Sequence, residues 1–168
     1  VVTEKNIDFS TRKIKYSKED YKNGFKLKLS SVLRNPTSMM TYLKALSYNE
    51  NLYEYNKANK EGFNEVVFLN IYGNIAEGAT SNIFIIKDKK IYTPKISDGI
   101  LPGVVRNWVI KNFRVCEKHL DKEDLYSADE VFITNSILGI MKIVQFEERS
   151  YSTSMVERIR SEYEQFII

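Results

Sequence analysis

The chain has little of what several function classes need. Among its 168 residues there is one cysteine, Cys116, one histidine, His119, one tryptophan and three prolines. A lone cysteine makes no internal disulfide, which excludes a disulfide-stapled secreted scaffold and predicts a reducing, cytoplasmic setting. One histidine without a cluster of Cys, His or Asp gives no metal-ligand spacing, so no metal is expected and His119 reads as a surface residue. Long apolar runs are missing. The longest falls far short of a membrane span, and no charged-then-apolar leader opens the chain, so no membrane partner is expected. Charge of one sign is not in excess either. The net charge is +3 with Lys and Glu interleaved, which is a solvated surface and not a nucleic-acid footprint. Glycine-rich nucleotide loops, repeats and low-complexity tracts are absent.

What remains is an ordinary globular composition, 43% hydrophobic and 28% charged. One domain, residues 1–168, is expected, long enough to bury about 70% of its unfolded surface. Val1 stands where a methionine would, and the first residues already read as a strand, which predicts a cleaved or truncated chain.

Ser17 with Asp20 predicts a short capped helix that Gly24 ends. Phe25, Leu27 and Leu29 alternate with polar residues as in a half-buried strand. Pro36 and Thr37 open an expected long helix through about Lys60, with Met39, Met40, Leu43, Leu46 and Leu52 near helical spacing and Gly62 as its stop. Val66–Leu69 reads as a buried strand and Tyr72-Gly73-Asn74 as a turn. Ile83–Ile86 and Ile91–Thr93 form an expected hairpin around Asp88. Gly103–Phe113 reads as a helix with Val104, Trp108 and Val109 inward. Val131–Thr134 and Ile140–Val144 read as strands. Ser154 with Glu157 predicts a capping box for a last helix packed through Met155, Ile159, Tyr163 and Phe166. The irregular mixture predicts an α+β domain and not a doubly wound sheet.

Several residues could carry chemistry. Lys44 sits in Tyr42-Leu-Lys-Ala-Leu46, otherwise apolar and small. It either snorkels to the surface or, if buried, offers a neutral amine as nucleophile and proton carrier. Tyr48 lies one turn further if the helix continues; it is a core tyrosine or a hydroxyl donor beside Lys44. Glu77 stands alone in a turn of Gly, Ala, Thr and Ser, with Gly78 allowing close backbone approach. Thr80 and Ser81 are turn residues or ties to the site. Leu101-Pro102-Gly103-Val104-Val105-Arg106 opens a helix whose free N–H groups suit a phosphate. Arg106 reads as a structural ion-pair residue.

The run Leu43-Lys44-Ala45-Leu46-Ser47-Tyr48-Asn49, with Glu77 33 positions after Lys44 and the Leu-Pro-Gly helix start, resembles the class IV aminotransferases. These are the fold-type IV enzymes that use pyridoxal 5'-phosphate, and they include branched-chain and D-amino-acid aminotransferases and aminodeoxychorismate lyase. The resemblance covers nearly the whole chain and implies the large, cofactor-binding domain of that fold, a mixed sheet or pseudobarrel with flanking helices. The family's small N-terminal domain finds no match and is expected to be absent. A homodimer is implied, as in the family.

By this resemblance Lys44 is the cofactor lysine and the proton carrier. Glu77 faces the pyridine nitrogen and keeps it protonated, so that the ring accepts electrons. Tyr48 donates to the phenolic oxygen. Leu101 packs on the ring. The N–H groups of Val104 and Val105 and the Ser136 hydroxyl hold the phosphate. Val105 replaces a frequent threonine, which removes one phosphate contact. Thr134-Asn135-Ser136-Ile-Leu-Gly139 resembles the aminodeoxychorismate lyase form, whereas Met141–Val144 lacks that form's proline. The implied reaction converts 4-amino-4-deoxychorismate to 4-aminobenzoate and pyruvate, toward folate. The alternatives are a branched-chain or D-amino-acid aminotransferase and a noncatalytic domain that keeps the fold.

Overall fold

The computed structural model describes residues 11, 13, 15–45 and 48–167. Helix α1, Lys18–Asn23, starts with the expected box: Ser17 and Asp20 cap each other's backbone. Strands follow at β1 (Phe25–Leu29), β2 (Glu65–Leu69), β3 (Ile75–Gly78), β4 (Asn82–Lys87), β5 (Lys90–Pro94), β6 (Val115–Lys118), β7 (Glu130–Asn135), β8 (Gly139–Phe146) and β9 (Arg149–Ser150). They join in one mixed sheet of order β3-β2-β1-β8-β7-β4-β5-β6, with β9 on β8. β1 runs parallel to β2 and β8, and β5 to β6; the hairpin β4–β5 and the pairs β4–β7 and β7–β8 are antiparallel.

The sheet curls until its ends meet. The Ile75 N–H at the β3 edge donates to Leu120 O, just past β6, at 2.6 Å. Strand alternation then sorts side chains by face. Leu27, Val67, Ile83, Ile85, Val131, Ile133, Met141 and Ile143 fill the interior. Phe84, Ile86, Phe132 and Ile140 point outward, under helices α3 (Val104–Asn112) and α5 (Ser154–Ile167). The Phe84 and Phe132 rings stack at 4.6 Å. Val66, Phe68 and Ala79 pack beneath Ala58 of α2 (Asn49–Lys60). Each large side chain so buried contributes about 1.5–3 kcal/mol of transfer free energy. The expected α+β pseudobarrel is therefore present.

Four expectations need correction. The long helix from Pro36 does not form. Asn35 Oδ1 accepts from the Thr37 N–H and hydroxyl, an Asx turn that competes with helix. A 3-10 turn, Met39–Tyr42, follows and ends at Leu43 in extended backbone. Helix restarts only at Asn49, and Met39, Met40, Leu43 and Leu52 are all exposed. Leu46 lies outside the described residues. Next, the start of α5 is not capped by a Ser154–Glu157 box. The buried Glu130 carboxylate accepts from the Ser154 hydroxyl and from the Met155 and Val156 N–H groups, at 2.9–3.0 Å, while Glu157 pairs with Lys142. Third, Val104 is 76% exposed, and Val105 is the inward residue. Last, Glu77 belongs to strand β3 and not to the turn after it. Strand β6 and the box-capped helix α4 (Lys122–Tyr126) were not expected.

Candidate functional site

β3 is short, buried throughout, and carries Glu77 at 6% exposure. The strand leaves its partner at Gly78 because the chain turns sharply into β4, with the Gly78 N–H donating to Ser81 O at 2.7 Å. A side chain at Gly78 would collide: its Cβ would stand 2.3 Å from Ser81 Oγ. Glu65 fixes this turn from β2. Its carboxylate accepts from the Val66 and Ala79 N–H groups and from the Thr80 and Ser81 hydroxyls, at 2.9–3.2 Å. Thr80 and Ser81 thus serve Glu65. Burial pushes the Glu65 carboxyl upward, and these four donors oppose it.

Glu77 Oε2 accepts from the Leu101 N–H at 2.9 Å and from Asn82 Nδ2 at 3.4 Å. Asn82 Nδ2 also donates to Leu101 O at 2.8 Å. Arg34 Nη2 stands 3.7 Å from Glu77 Oε1. Burial raises the Glu77 carboxyl to about 7; the Leu101 amide and the Arg34 and Lys44 charges pull it down, and Glu65 pushes it further up.

Glu77, Tyr48, Leu101, Arg34, Asn51 and the 40–45 segment enclose a pocket of about 240 Å³. Leu43 and Ala45 line it. Lys44, between them, is exposed in non-helical backbone, its Nζ 5.9 Å from the Tyr48 ring centre. The expected burial of Lys44 inside a helix is therefore not found; Leu46 and Ser47, its next neighbours, lie outside the described residues. Tyr48 precedes α2 and is not a turn above Lys44. Burial and the Glu77 charge raise its hydroxyl, so it stays a donor at neutral pH.

Leu101 sits one side of Gly103, which precedes α3 without any side-chain cap. The first N–H groups of this helix, those of Val104 and Val105 included, lie in the first turn and suit an anion. A Cβ at Gly103 would lie 2.2 Å from Asn82 Oδ1. Asn82 in turn pairs in register with Thr134 of β7. Ser136 is exposed in the turn that follows, where Asn135 Oδ1 accepts from the Ile137 and Leu138 N–H groups and Asn135 Nδ2 donates to Thr80 O at 3.1 Å. The structure thus gathers Tyr48, Glu77 and Leu101 at one pocket, with Lys44 exposed beside it, while Val104, Val105 and Ser136 do not line it.

Sequence reasoning missed Arg34, Glu65 and Asn82. A charged residue heading the apolar run Glu65–Leu69 was a signal for the second. Arg106 is the ion-pair residue expected, 2% exposed with Nη2 on Pro94 O and Glu117. His119 is half exposed, yet bonded to buried Asp98 at 2.7 Å. Among the described residues no cluster could hold a metal ion and no helix is long and apolar enough to cross a membrane. A larger groove, about 630 Å³, opens between α5 and the β4–β5 hairpin, and none of the candidate residues lines it.

Comparison with known proteins identifies the family. Residues 2–146 match the family model for amino-transferase class IV. Aminodeoxychorismate lyase of Bacillus subtilis is 35% identical over 135 residues, covering 77% of this chain and 46% of that protein. Branched-chain-amino-acid aminotransferase of Pseudomonas aeruginosa is 32% identical over 138 residues, covering 78% and 45%. The branched-chain amino acid aminotransferase of Thermobaculum terrenum, solved in its PLP form, superposes with a TM-score of 0.80 at 26% identity, covering 88% of this chain and 53% of that one. The chain spans about half the length of the curated relatives it matches.

Proposed function

Because the chain belongs to the class IV aminotransferase family, whose enzymes use pyridoxal 5'-phosphate, we propose that it is the cofactor-binding portion of such an enzyme and that the whole protein is a cytoplasmic, homodimeric aminodeoxychorismate lyase. The observation that carries the cofactor is Glu77, a buried carboxylate on a pocket wall with one oxygen turned toward the pocket's cation. The residues present fit the group: a carboxylate for a ring nitrogen, a glycine-led helix start without a side-chain cap for a phosphate, and a lysine at the pocket rim. When bound, the cofactor supplies an electron sink for a carbanion at the substrate's amine-bearing carbon.

The chain's own residues do the rest. Lys44 Nζ would hold the cofactor and, as a free amine, would take the proton from the substrate's amine-bearing carbon. Glu77 partners the ring nitrogen. Tyr48, kept protonated by burial beside Glu77, donates to the phenolic oxygen. Leu101 would pack on the ring, while its own N–H holds Glu77. The Val104 and Val105 N–H groups and the Ser136 hydroxyl serve the phosphate.

Support for the lyase over an aminotransferase comes from the Thr134-Asn135-Ser136 turn and from Val105 in place of threonine. The second reading, a branched-chain aminotransferase, is favoured by relatives such as the Pseudomonas aeruginosa enzyme. The full-length protein, given 4-amino-4-deoxychorismate and no oxo acid, should release 4-aminobenzoate and pyruvate over many turnovers. Stoichiometric conversion of the cofactor to its amine form by a branched-chain amino acid, with no 4-aminobenzoate released, would replace the lyase by the aminotransferase.

A further inference from the structure

Arg34 follows β1, and its backbone is pinned on both sides: the N–H donates to Leu69 O at 2.8 Å and the carbonyl accepts from the Ile71 N–H at 2.9 Å. The guanidinium lies 4.5 Å from the Phe68 ring centre. Its Nη2 is 3.7 Å from Glu77 Oε1, and both side chains are largely buried, at 15% and 8% exposure. That distance is longer than a charge-assisted hydrogen bond, which closes to about 2.7–2.9 Å. Arg34 Nε and Nη2 accordingly have no hydrogen-bond acceptor among the described residues. Glu77 Oε2 is engaged by the Leu101 N–H, so Oε1 is the oxygen left free beside the cation.

We propose that Arg34 is the built-in counter-ion of Glu77, a positioning residue that favours the anionic form of this buried carboxylate against burial while leaving Oε1 open to a ligand N–H. The ring-nitrogen partner is then the Arg34–Glu77 pair. A tighter, two-bonded pair would occupy both carboxylate oxygens and close the subsite. Without the cation, burial would favour the neutral acid, which has no negative charge to balance a protonated ring nitrogen.

The other groups facing Glu77 do not replace Arg34. Lys44, from the 39–45 segment, is exposed and screened, and it must be neutral to act as a nucleophile. Tyr48, at the start of α2, is a neutral donor. Glu65, on β2, has the opposite effect and favours the neutral acid. The Leu101 amide lowers the Glu77 carboxyl more than Arg34 does, but neither it nor Asn82 brings a charge to balance the carboxylate. A guanidinium, by contrast, keeps its charge at every working pH and packs over aromatic faces, and that of Arg34 sits over Phe68.

The ligand side of this inference rests on the cofactor reading above; the pair itself does not. The test is an infrared titration of carboxyl protonation in the cofactor-free chain, with E77Q subtracted so that Glu65 cancels. The parent should titrate near 7. R34Q should move the Glu77 midpoint up by about one to three pH units, and R34K should return most of that shift. A midpoint in R34Q within a few tenths of the parent's overturns the proposal. If R34Q does not fold, R34Q/E77Q should, since the uncompensated carboxylate is then gone; failure of the double variant also overturns it. Adding pyridoxal 5'-phosphate separates the two readings. A parent that gains no visible absorbance sinks the cofactor assignment and leaves the titration standing. A parent that gains it, with an unmoved midpoint in R34Q, sinks the pair alone.

Discussion

Glu77→Gln should make the cofactor-free protein more stable, and only above a definable pH. The Glu77 carboxyl is raised from 4.5 to about 7 in the fold. An acid raised in the folded state favours folding fully below its unfolded value, near 4.5, and that contribution is lost as pH rises through about 7. Between those values the unfolded chain ionises first, so stability falls with pH. The shift of about 2.5 units, at about 1.4 kcal/mol per unit, corresponds to about 3 kcal/mol between the low- and high-pH limits. Between pH 5 and pH 8 most of it, about 2–3 kcal/mol, should be visible. Glutamine occupies nearly the same volume and its carbonyl can accept from the Leu101 N–H, so geometry is kept while the titration is removed. The assay is urea unfolding of parent and variant from pH 5 to 8. Other titrating groups cancel in the difference between the two curves. E77Q should match the parent near pH 5 and exceed it by about 2–3 kcal/mol at pH 8. Parallel curves across that range would refute a buried, raised Glu77.

Three further outcomes are expected. Borohydride reduction after adding pyridoxal 5'-phosphate should place the adduct, by peptide mapping, on Lys44; an adduct on another lysine removes Lys44 from its role. Gly103→Ala forces Asn82 Oδ1 away from a Cβ that would stand 2.2 Å from it, so cofactor retention should fall about tenfold, with about 1–3 kcal/mol lost from stability; unchanged retention would show that Asn82 is not part of the site's support. Glu65→Gln puts an amide donor among four donors and should cost about 1–3 kcal/mol in unfolding experiments; a neutral result would mean that the turn holds without Glu65.

The strands were legible because their alternation is apolar. Ile83, Ile85, Val131 and Ile133 face inward and Phe84 and Phe132 outward, and that pattern survives in one dimension. Helix α2 was misread for the opposite reason. Its buried stripe is Asn51, Glu54 and Ala58, two of them polar, while Leu52 and Tyr53 face solvent. Glu54 is satisfied by Ser30 and Ser31, residues of a distant segment. An apolar period therefore pointed to the wrong face, and the Asx turn at Asn35 broke the expected helix. The start of α5 fails similarly: a local Ser–Glu box was available in sequence, but Glu130, 24 to 26 residues away, supplied a better acceptor. In the pocket, Glu77 and Leu101 could be picked out because a lone acid and a Leu-Pro-Gly step are locally conspicuous. Arg34 and Asn82 could not, because their meaning comes from partners brought close by the curl of the sheet.

The buried acids of this fold differ in how well each is satisfied. Glu65 accepts four hydrogen bonds, Glu130 three, and Glu54 is held by Ser30 and Ser31. In each case the donors come from the backbone turn or helix start that the carboxylate secures, so removing the acid would undo a local structure. Asp98 holds His119 and leaves Oδ2 without a partner, but it lines no part of the pocket. Glu77 differs from all of these. It has one short bond, from Leu101, one long one, from Asn82, and an oxygen facing an unpartnered guanidinium on a pocket wall. An acid buried this deeply with acceptor capacity to spare weakens the fold at neutral pH, and a strongly perturbed, under-satisfied group in a cavity marks a binding site more than a scaffold. A saturated pair would occupy both Glu77 oxygens, whereas at 3.7 Å Oε1 keeps its acceptor capacity, as the proposed ring-nitrogen role requires.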